Sequence, residues 1–383
     1  MYLFLITFFF LYSLLHFYAF LKLKAAFALS TQGAVLTVLI MLIMIFAPII
    51  VRLSEKAGLD PFARLMSYAG YTWMGLLVLF FSTSFVIDIY RFFIYISGLI
   101  LRKDLVAFIP SARVSFFIPL MLSILTAVYG YFEAQNIRME RITISTPKIP
   151  EWVGRLRIVQ ISDVHLGLIV REERLKRVLR EVKRAGPDIL VSTGDLVDGQ
   201  INSLTGLAAI LNEIQPRYGK FAITGNHEFY AGLDQALDFT EKAGFKMLRG
   251  EILNIAGMIN VVGVDDPQGK TYGLHRGVPE KELLSGVSEK TFTLLLKHRP
   301  IVDKSSLDLF DLQLSGHVHN GQIFPFSLIT GLYYSTQAGF AKLSNKSFLY
   351  VSRGSGTWGP PVRVLSPPEV TVIELVHGDE RLI

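Results

Sequence analysis

The chain has 383 residues, enough for more than one domain, and 51% of them are hydrophobic; the mean hydropathy of +0.42 is too apolar for an average soluble protein. It contains no cysteine, which excludes disulfides, thiolate metal sites and cysteine nucleophiles, so any metal must be held by His, Asp and Asn. The formal charge of +6 comes from dispersed basic residues, many of them flanking apolar stretches, and this fits anionic lipid head groups better than nucleic acid.

The apolar excess lies before residue 134. Four windows there, near residues 3–20, 31–51, 68–90 and 114–131, approach the ~20 apolar residues that a hydrocarbon layer requires, and they predict a multi-pass transmembrane domain over 1–133. No basic n-region precedes the first window and no small-residue cleavage site ends it, so it reads as an anchor rather than a signal peptide. Asp88 stands three residues before Arg91 and reads as an i,i+3 ion pair at a span end. Location in the cell membrane is expected. Basic residues balance across the spans, so the positive-inside comparison leaves the side of the C-terminal domain undecided.

Residues 134–150 read as a linker, extended and then stiffened by Pro147 and Pro150. From 151 to 383, β-type runs at 156–161, 189–192, 221–224, 292–296 and 312–314 alternate at first with helical patterns at 172–184, 204–215 and 233–243. Later runs at 258–264, 348–352 and 370–375 follow one another as strands. This order predicts an α/β domain.

Each of the first five runs is followed by a short polar cluster: Asp163-Val-His165, Gly194-Asp195, Gly225-Asn226-His227-Glu228, His298, and Gly316-His317-Val-His319. Any one is weak, because a D-x-H or a G-D turn is common. Together they supply the oxygen and imidazole ligands that a pair of metal ions needs, delivered to one edge of a sheet by strands that end in glycine turns. His16, His275 and His377 fall outside these clusters and read as interfacial or surface residues. Arg171, Arg299 and Arg353 are candidates for substrate contact, although lone arginines are usually solvated or paired.

The ordered set resembles the calcineurin-like metallophosphoesterase superfamily, whose pattern is D-x-H, G-D-x-x-D/x, G-N-H-D/E, H and G-H-x-H. The resemblance runs from Arg155 to the C terminus, and the run 352–369 looks like the ending of the family's bacterial membrane-associated branch. It implies a four-layer αββα sandwich, here preceded by a four-helix transmembrane domain. It also implies two divalent metal ions, manganese before iron, zinc or cobalt. By the family pattern Asp195 bridges the metals; Asp163, His165 and His319 complete one, and Asn226, His298 and His317 the other. His227 resembles the family residue that stabilises the transition state or protonates the leaving oxygen, and Glu228 is expected to orient its imidazole.

The function expected is a membrane-anchored, dinuclear metal-dependent phosphoesterase that hydrolyses a P–O bond by metal-activated hydroxide, on a phosphorylated substrate that is lipid-linked. The alternative is a non-catalytic membrane receptor or scaffold that binds a phosphorylated ligand through the same domain. Membrane lipid is the expected partner, and the sequence identifies no protein partner. The apolar stretch 322–340 reads either as a packed hairpin or as a lip beside the metals that admits an acyl chain.

Overall fold

The protein, described here by a computed structural model over residues 2–199, 204, 206–379 and 381–382, forms two compact units. The first comprises Met1–Phe132 and Gly359–Val364, and the second Glu133–Trp358 and Leu365–Ile383.

The first unit is helical: α1 (Tyr2–Ala26), α2 (Thr31–Lys56), α3 (Asp60–Leu101) and α4 (Val114–Glu133), all long and apolar enough to cross a membrane. The 68–90 window understates α3, which runs for 42 residues. At a rise of 1.5 Å per residue that is about 63 Å, twice the ~30 Å of a hydrocarbon core. The helix starts with Pro61 in its first turn and ends where Arg102 takes a left-handed conformation, with φ 50°. Asp88 has three partners: it accepts from Tyr18 (2.6 Å), pairs with Lys22 of α1, and lies 3.9 Å from Arg91, so the expected i,i+3 pair is the longest of them. His16, expected near a surface, is instead buried and accepts from Trp73 Nε1 at 2.9 Å, because an imidazole among apolar helices needs a polar neighbour. The segment Gly359–Val364 enters against α3 and α4. Arg363 donates its N–H to the Gly130 carbonyl (2.9 Å), and a side chain on Gly130 would collide with the Arg363 carbonyl.

The second unit holds two mixed sheets. One is ordered β13-β1-β12-β2-β3-β4-β5, from β1 (Arg138–Thr146), β2 (Arg155–Ile161), β3 (Ile189–Ser192), β4 (Lys220–Ala222), β5 (Lys246–Met247), β12 (Glu369–His377) and β13 (Arg381–Leu382). The other is ordered β10-β11-β9-β8-β7-β6, from β6 (Glu251–Ile255), β7 (Ile259–Gly263), β8 (Phe292–Leu296), β9 (Leu312–Ser315), β10 (Gly339–Lys342) and β11 (Phe348–Val351). Residues 134–150 are therefore not a free linker. β1 pairs in parallel with β12 along its whole length, from Arg138 opposite Glu369 to Thr146 opposite His377, so the backbone groups on its β12 edge are satisfied by the sheet.

Three buried clusters define the layers. Ile158, Val191, Ile223, Val261, Leu294 and Leu314 pack between the two sheets. The outer face of the first sheet is covered by α5 (Glu172–Ala185), α6 (Leu207–Asn212) and α8 (Leu233–Lys242), through Leu175, Val178, Leu179 and Val182 at helical spacing, Leu211 and Phe239. The second sheet buries Val262 and Leu295 under Leu283 and Leu284 of α10 (Glu280–Ser285). This is the αββα order. Burial of each such side chain contributes about 1.5–3 kcal/mol, which fixes the strand ends from which the polar clusters emerge. Short helices α7 (Asn226–Ala231), α9 (Gln268–Thr271) and α11 (Phe326–Thr330) lie in the loops.

Candidate metal centre

The polar clusters follow the carboxyl ends of β2, β3, β4, β8 and β9, neighbours that run parallel within their sheets. Asp163 and His165 leave β2, Asp195 leaves β3, and Asn226 opens α7 after β4; His298 leaves β8, and His317 and His319 leave β9. The backbone bends sharply there. Asp163, His165, Asp195, His317 and His319 all have φ between 51° and 72°, a left-handed region that non-glycine residues rarely enter. The glycines of the motifs serve close approach: a Cβ on Gly225 would occupy the position of the Asp195 carboxylate, and one on Gly316 that of Ser162 and Asp163.

The side chains converge in three overlapping groups, each with its ligand atoms within 4.8 Å of one another: Asp163, His165 and His319; His165, Asp195 and His227; and Asp195, His298 and His317. Asp195 belongs to two of them. Its Oδ2 lies 3.2 Å from His298 Nε2 and 3.8 Å from His165 Nε2. Asp163 Oδ1 lies 3.3 Å from His319 Nε2, His165 Nε2 lies 3.1 Å from His319 Nε2, and His317 Nδ1 lies 3.2 Å from His298 Nε2. Imidazole nitrogens that face one another in pairs cannot all hold protons.

The donor set fits metal ions. Asn226 Oδ1 is buried with no hydrogen-bond partner among the described residues, a condition that a bound cation would relieve. Nδ1 of His298 lies 2.8 Å from the Thr193 carbonyl; as donor there it leaves the Nε2 lone pair facing Asp195 and His317.

Electrostatics without metals point the same way. For His298, burial opposes protonation, but Asp195 and then Asp163 outweigh it and push the pKa up to about 10. Burial likewise opposes charging of His227, and Asp195 and Asp198 outweigh it, raising that group to about 9. His317 is lowered to about 3, by burial first and then by the charge of His298. Burial would raise Asp195 and Asp163, but the surrounding imidazoles hold both carboxyls below the usual carboxylate range. The centre gathers acids that stay ionised at low pH and holds protons on imidazoles, which cations would displace.

Glu228 does not orient His227. Its carboxylate accepts from the backbone N–H groups of Gly225 (2.6 Å), Asp195 (3.0 Å) and Leu196 (2.8 Å), tying the β4 loop to the β3 loop. Asp198, which was not singled out from the sequence, does: its Oδ1 lies 3.0 Å from His227 Nδ1 and 3.5 Å from His165 Nδ1. Its place as the last residue of Gly194-Asp195-Leu196-Val197-Asp198 was the available signal.

Aromatic rings surround the centre. Trp358 lies edge-on to His227 with ring centroids 6.0 Å apart, Tyr230 at 5.2 Å, and Tyr334 stands 5.9 Å from His317. Gln322 fixes Trp358 through two backbone contacts of 2.9 Å. The 322–340 stretch is not a packed hairpin: Phe324, Phe326, Leu328, Ile329, Leu332 and Tyr333 are all exposed, Leu332 by 89%. Of the three arginines, Arg353 is consumed by Glu140 and Glu369 and Arg171 also has partners, while Arg299 is braced by Asp266 beside the centre.

Buried carboxylates and imidazoles converging between two sheets define a metallophosphoesterase architecture. A sequence model of calcineurin-like phosphoesterases matches residues 156–321. An uncharacterised metallophosphoesterase of Aquifex aeolicus is 42% identical over 257 residues, covering 67% of this chain and 98% of its own. One from Helicobacter pylori J99 is 30% identical over 78% of this chain and 80% of its own. A Danio rerio transmembrane protein with a metallophosphoesterase domain is 32% identical over 67% of this chain and 61% of its own. The chain belongs to the calcineurin-like phosphoesterase family.

Proposed function

We propose that this is a membrane protein that hydrolyses the phosphoester or pyrophosphate bond of a lipid-linked substrate, using two divalent cations of which manganese is the first candidate. Asp163, His165 and His319 would hold one cation and Asn226, His298 and His317 the other, with Asp195 between them. When bound, the ions supply positive charge for the transferring phosphoryl group and acidify a water. The protein's own part is positional. Asp198 keeps the His227 imidazole oriented and protonated so that Nε2 can donate to the departing oxygen, and Glu228 locks the loops that carry Asp195 and Asn226. The Trp358, Tyr230 and Tyr334 rings limit access of bulk water.

The observation that carries the lipid reading is the exposed apolar run Phe324 to Tyr333 in the same loop system as His317 and His319. A surface of this kind, next to the tyrosine that meets His317 edge-on, suits an acyl chain entering the centre. The four apolar helices and the transmembrane relative support placement at a bilayer.

The test is kcat/KM for metal-loaded protein in detergent micelles, on substrates that share one phosphate head and differ in chain length. Each buried CH2 contributes up to about 0.8 kcal/mol, so a lipid site prefers the long chain by orders of magnitude. Equal rates for all lengths defeat the lipid reading and leave the phosphoesterase reading in place.

A further inference from the structure

We infer that Arg299 and Tyr334, with Tyr230 across the mouth, form a subsite for a second anionic group, so that the preferred substrate is a diphosphate rather than a compound with one phosphate. This rests on the phosphoesterase reading above.

The comparison with Arg249 carries the argument. Two adjacent, fully buried carboxylates, Asp265 and Asp266, each grip one arginine through two contacts. Arg249 meets Asp265 at 2.8 Å twice and gives a further bond to the Leu274 carbonyl (2.6 Å); its side chain is 9% exposed, so it is satisfied within the protein. Arg299 meets Asp266 through Nε (2.7 Å) and Nη2 (2.9 Å), and no other side-chain hydrogen bond of Arg299 is present among the described residues. Its side chain is 24% exposed. A guanidinium has five N–H donors, and the fork to Asp266 uses only part of them, leaving Nη1 for an acceptor that the described residues do not supply.

That unsatisfied edge is held in a defined place. Asp266 is itself fixed, accepting from the Gln268 N–H (2.8 Å) and giving its own N–H to Thr224 (3.0 Å). Arg299 follows His298 in the chain, and its charge acts on His317, Tyr230 and Tyr334. Tyr334 packs on His317 and Tyr230 on His227, so the two phenols flank the centre from its two ends. A phosphoryl group reacting between Asp195 and His227 would leave Arg299 facing the next substituent on the His317 side. A bidentate fork suits a second phosphate there.

The experiment compares bis(p-nitrophenyl) phosphate with P1,P2-di(p-nitrophenyl) diphosphate, which share end groups and differ by one phosphate, in wild-type protein, Arg299→Gln, Arg299→Lys and the double variant Arg299→Gln/Asp266→Asn. The double variant removes the partner charge with the arginine and guards against a fold lost to an unpaired Asp266. Arg299→Gln and the double variant are expected to lower kcat/KM for the diphosphate about 10- to 100-fold more than for the monophosphate, chiefly through KM, with Arg299→Lys between them and wild type. Equal losses on both compounds overturn the inference and assign Arg299 to the reacting phosphoryl group or to stability alone. Wild-type protein without turnover of either compound, or of any other phosphoester, overturns the phosphoesterase reading and this inference with it.

Discussion

Oδ1 of Asp198 lies 3.0 Å from Nδ1 of His227, and the main-chain oxygen of the same residue lies 2.9 Å from the same nitrogen. Asp198 therefore orients the imidazole and, after Asp195, helps to hold its charge, leaving Nε2 as the donor toward the centre. Asp198→Asn keeps the shape and removes the charge. It should lower the His227 pKa from about 9 and reduce turnover roughly 10- to 100-fold while metal content is kept. NMR titration of the imidazole and metal analysis check the two halves; an unmoved His227 pKa sinks the assignment.

His227→Ala and Asp195→Ala should separate chemistry from metal binding. Loss of the imidazole should cost about 10²- to 10⁴-fold on substrates with poor leaving groups, and less with an activated aryl phosphate. Asp195→Ala should lose metal as well as activity, because its carboxylate is shared by two of the ligand groups. Mass spectrometry of the metal-loaded proteins distinguishes them, and a doubly metallated, active Asp195→Ala protein rules out a bridge.

Glu228→Gln tests the loop tie. The carboxylate accepts from four backbone N–H groups, the longest from Val197 at 3.4 Å, and an amide cannot replace it, because its NH2 would face a donor. A loss of about 1–3 kcal/mol in stability and weaker metal binding are expected, with His227 titrating as before. Denaturation together with the His227 titration reads both.

Metal and pH should be linked with opposite signs in the two forms. In metal-free protein His298 and His227 titrate at about 10 and about 9, above the ~6.5 of a free imidazole. Their contribution to stability is complete below about pH 6.5 and disappears as pH rises through 9 and 10. Metal loading needs the His298 lone pair, so it should release protons at pH 7 and strengthen as pH rises. Calorimetry in buffers of different ionisation enthalpy counts the protons; proton-neutral binding contradicts the ligand role of His298.

The strands beneath the centre were legible because β2, β3, β8 and β9 are short β-type runs each followed within two residues by Gly, Asp or His, a pattern that survives without knowledge of partners. β1 was not. Its residues Arg138 to Thr146 read as linker because their partner, β12, starts at Glu369, and nothing local announces a pairing over such a separation. The length of α3 was hidden because an apolar window stops short of Arg64 and Arg91, whereas a helix stops only where its backbone does. The role of Asp198 toward His227 and the brace on Arg299 depend on contacts between loops from different strands, which spacing in sequence does not encode even where, as for Asp198, the motif marks the residue.

The left-handed backbone at Asp163, His165, Asp195, His317 and His319 reaches beyond the centre itself. Each such residue holds about 1–3 kcal/mol of conformational strain that only the packed strands behind it sustain. Loosening the intersheet core, by Ile158→Ala or Leu294→Ala for example, should let these loops relax before the sheets separate. Metal affinity then becomes a gauge of packing far from the metals. A substitution with no ligand in reach would be read first as a chelation defect, and only at higher denaturant as a loss of fold.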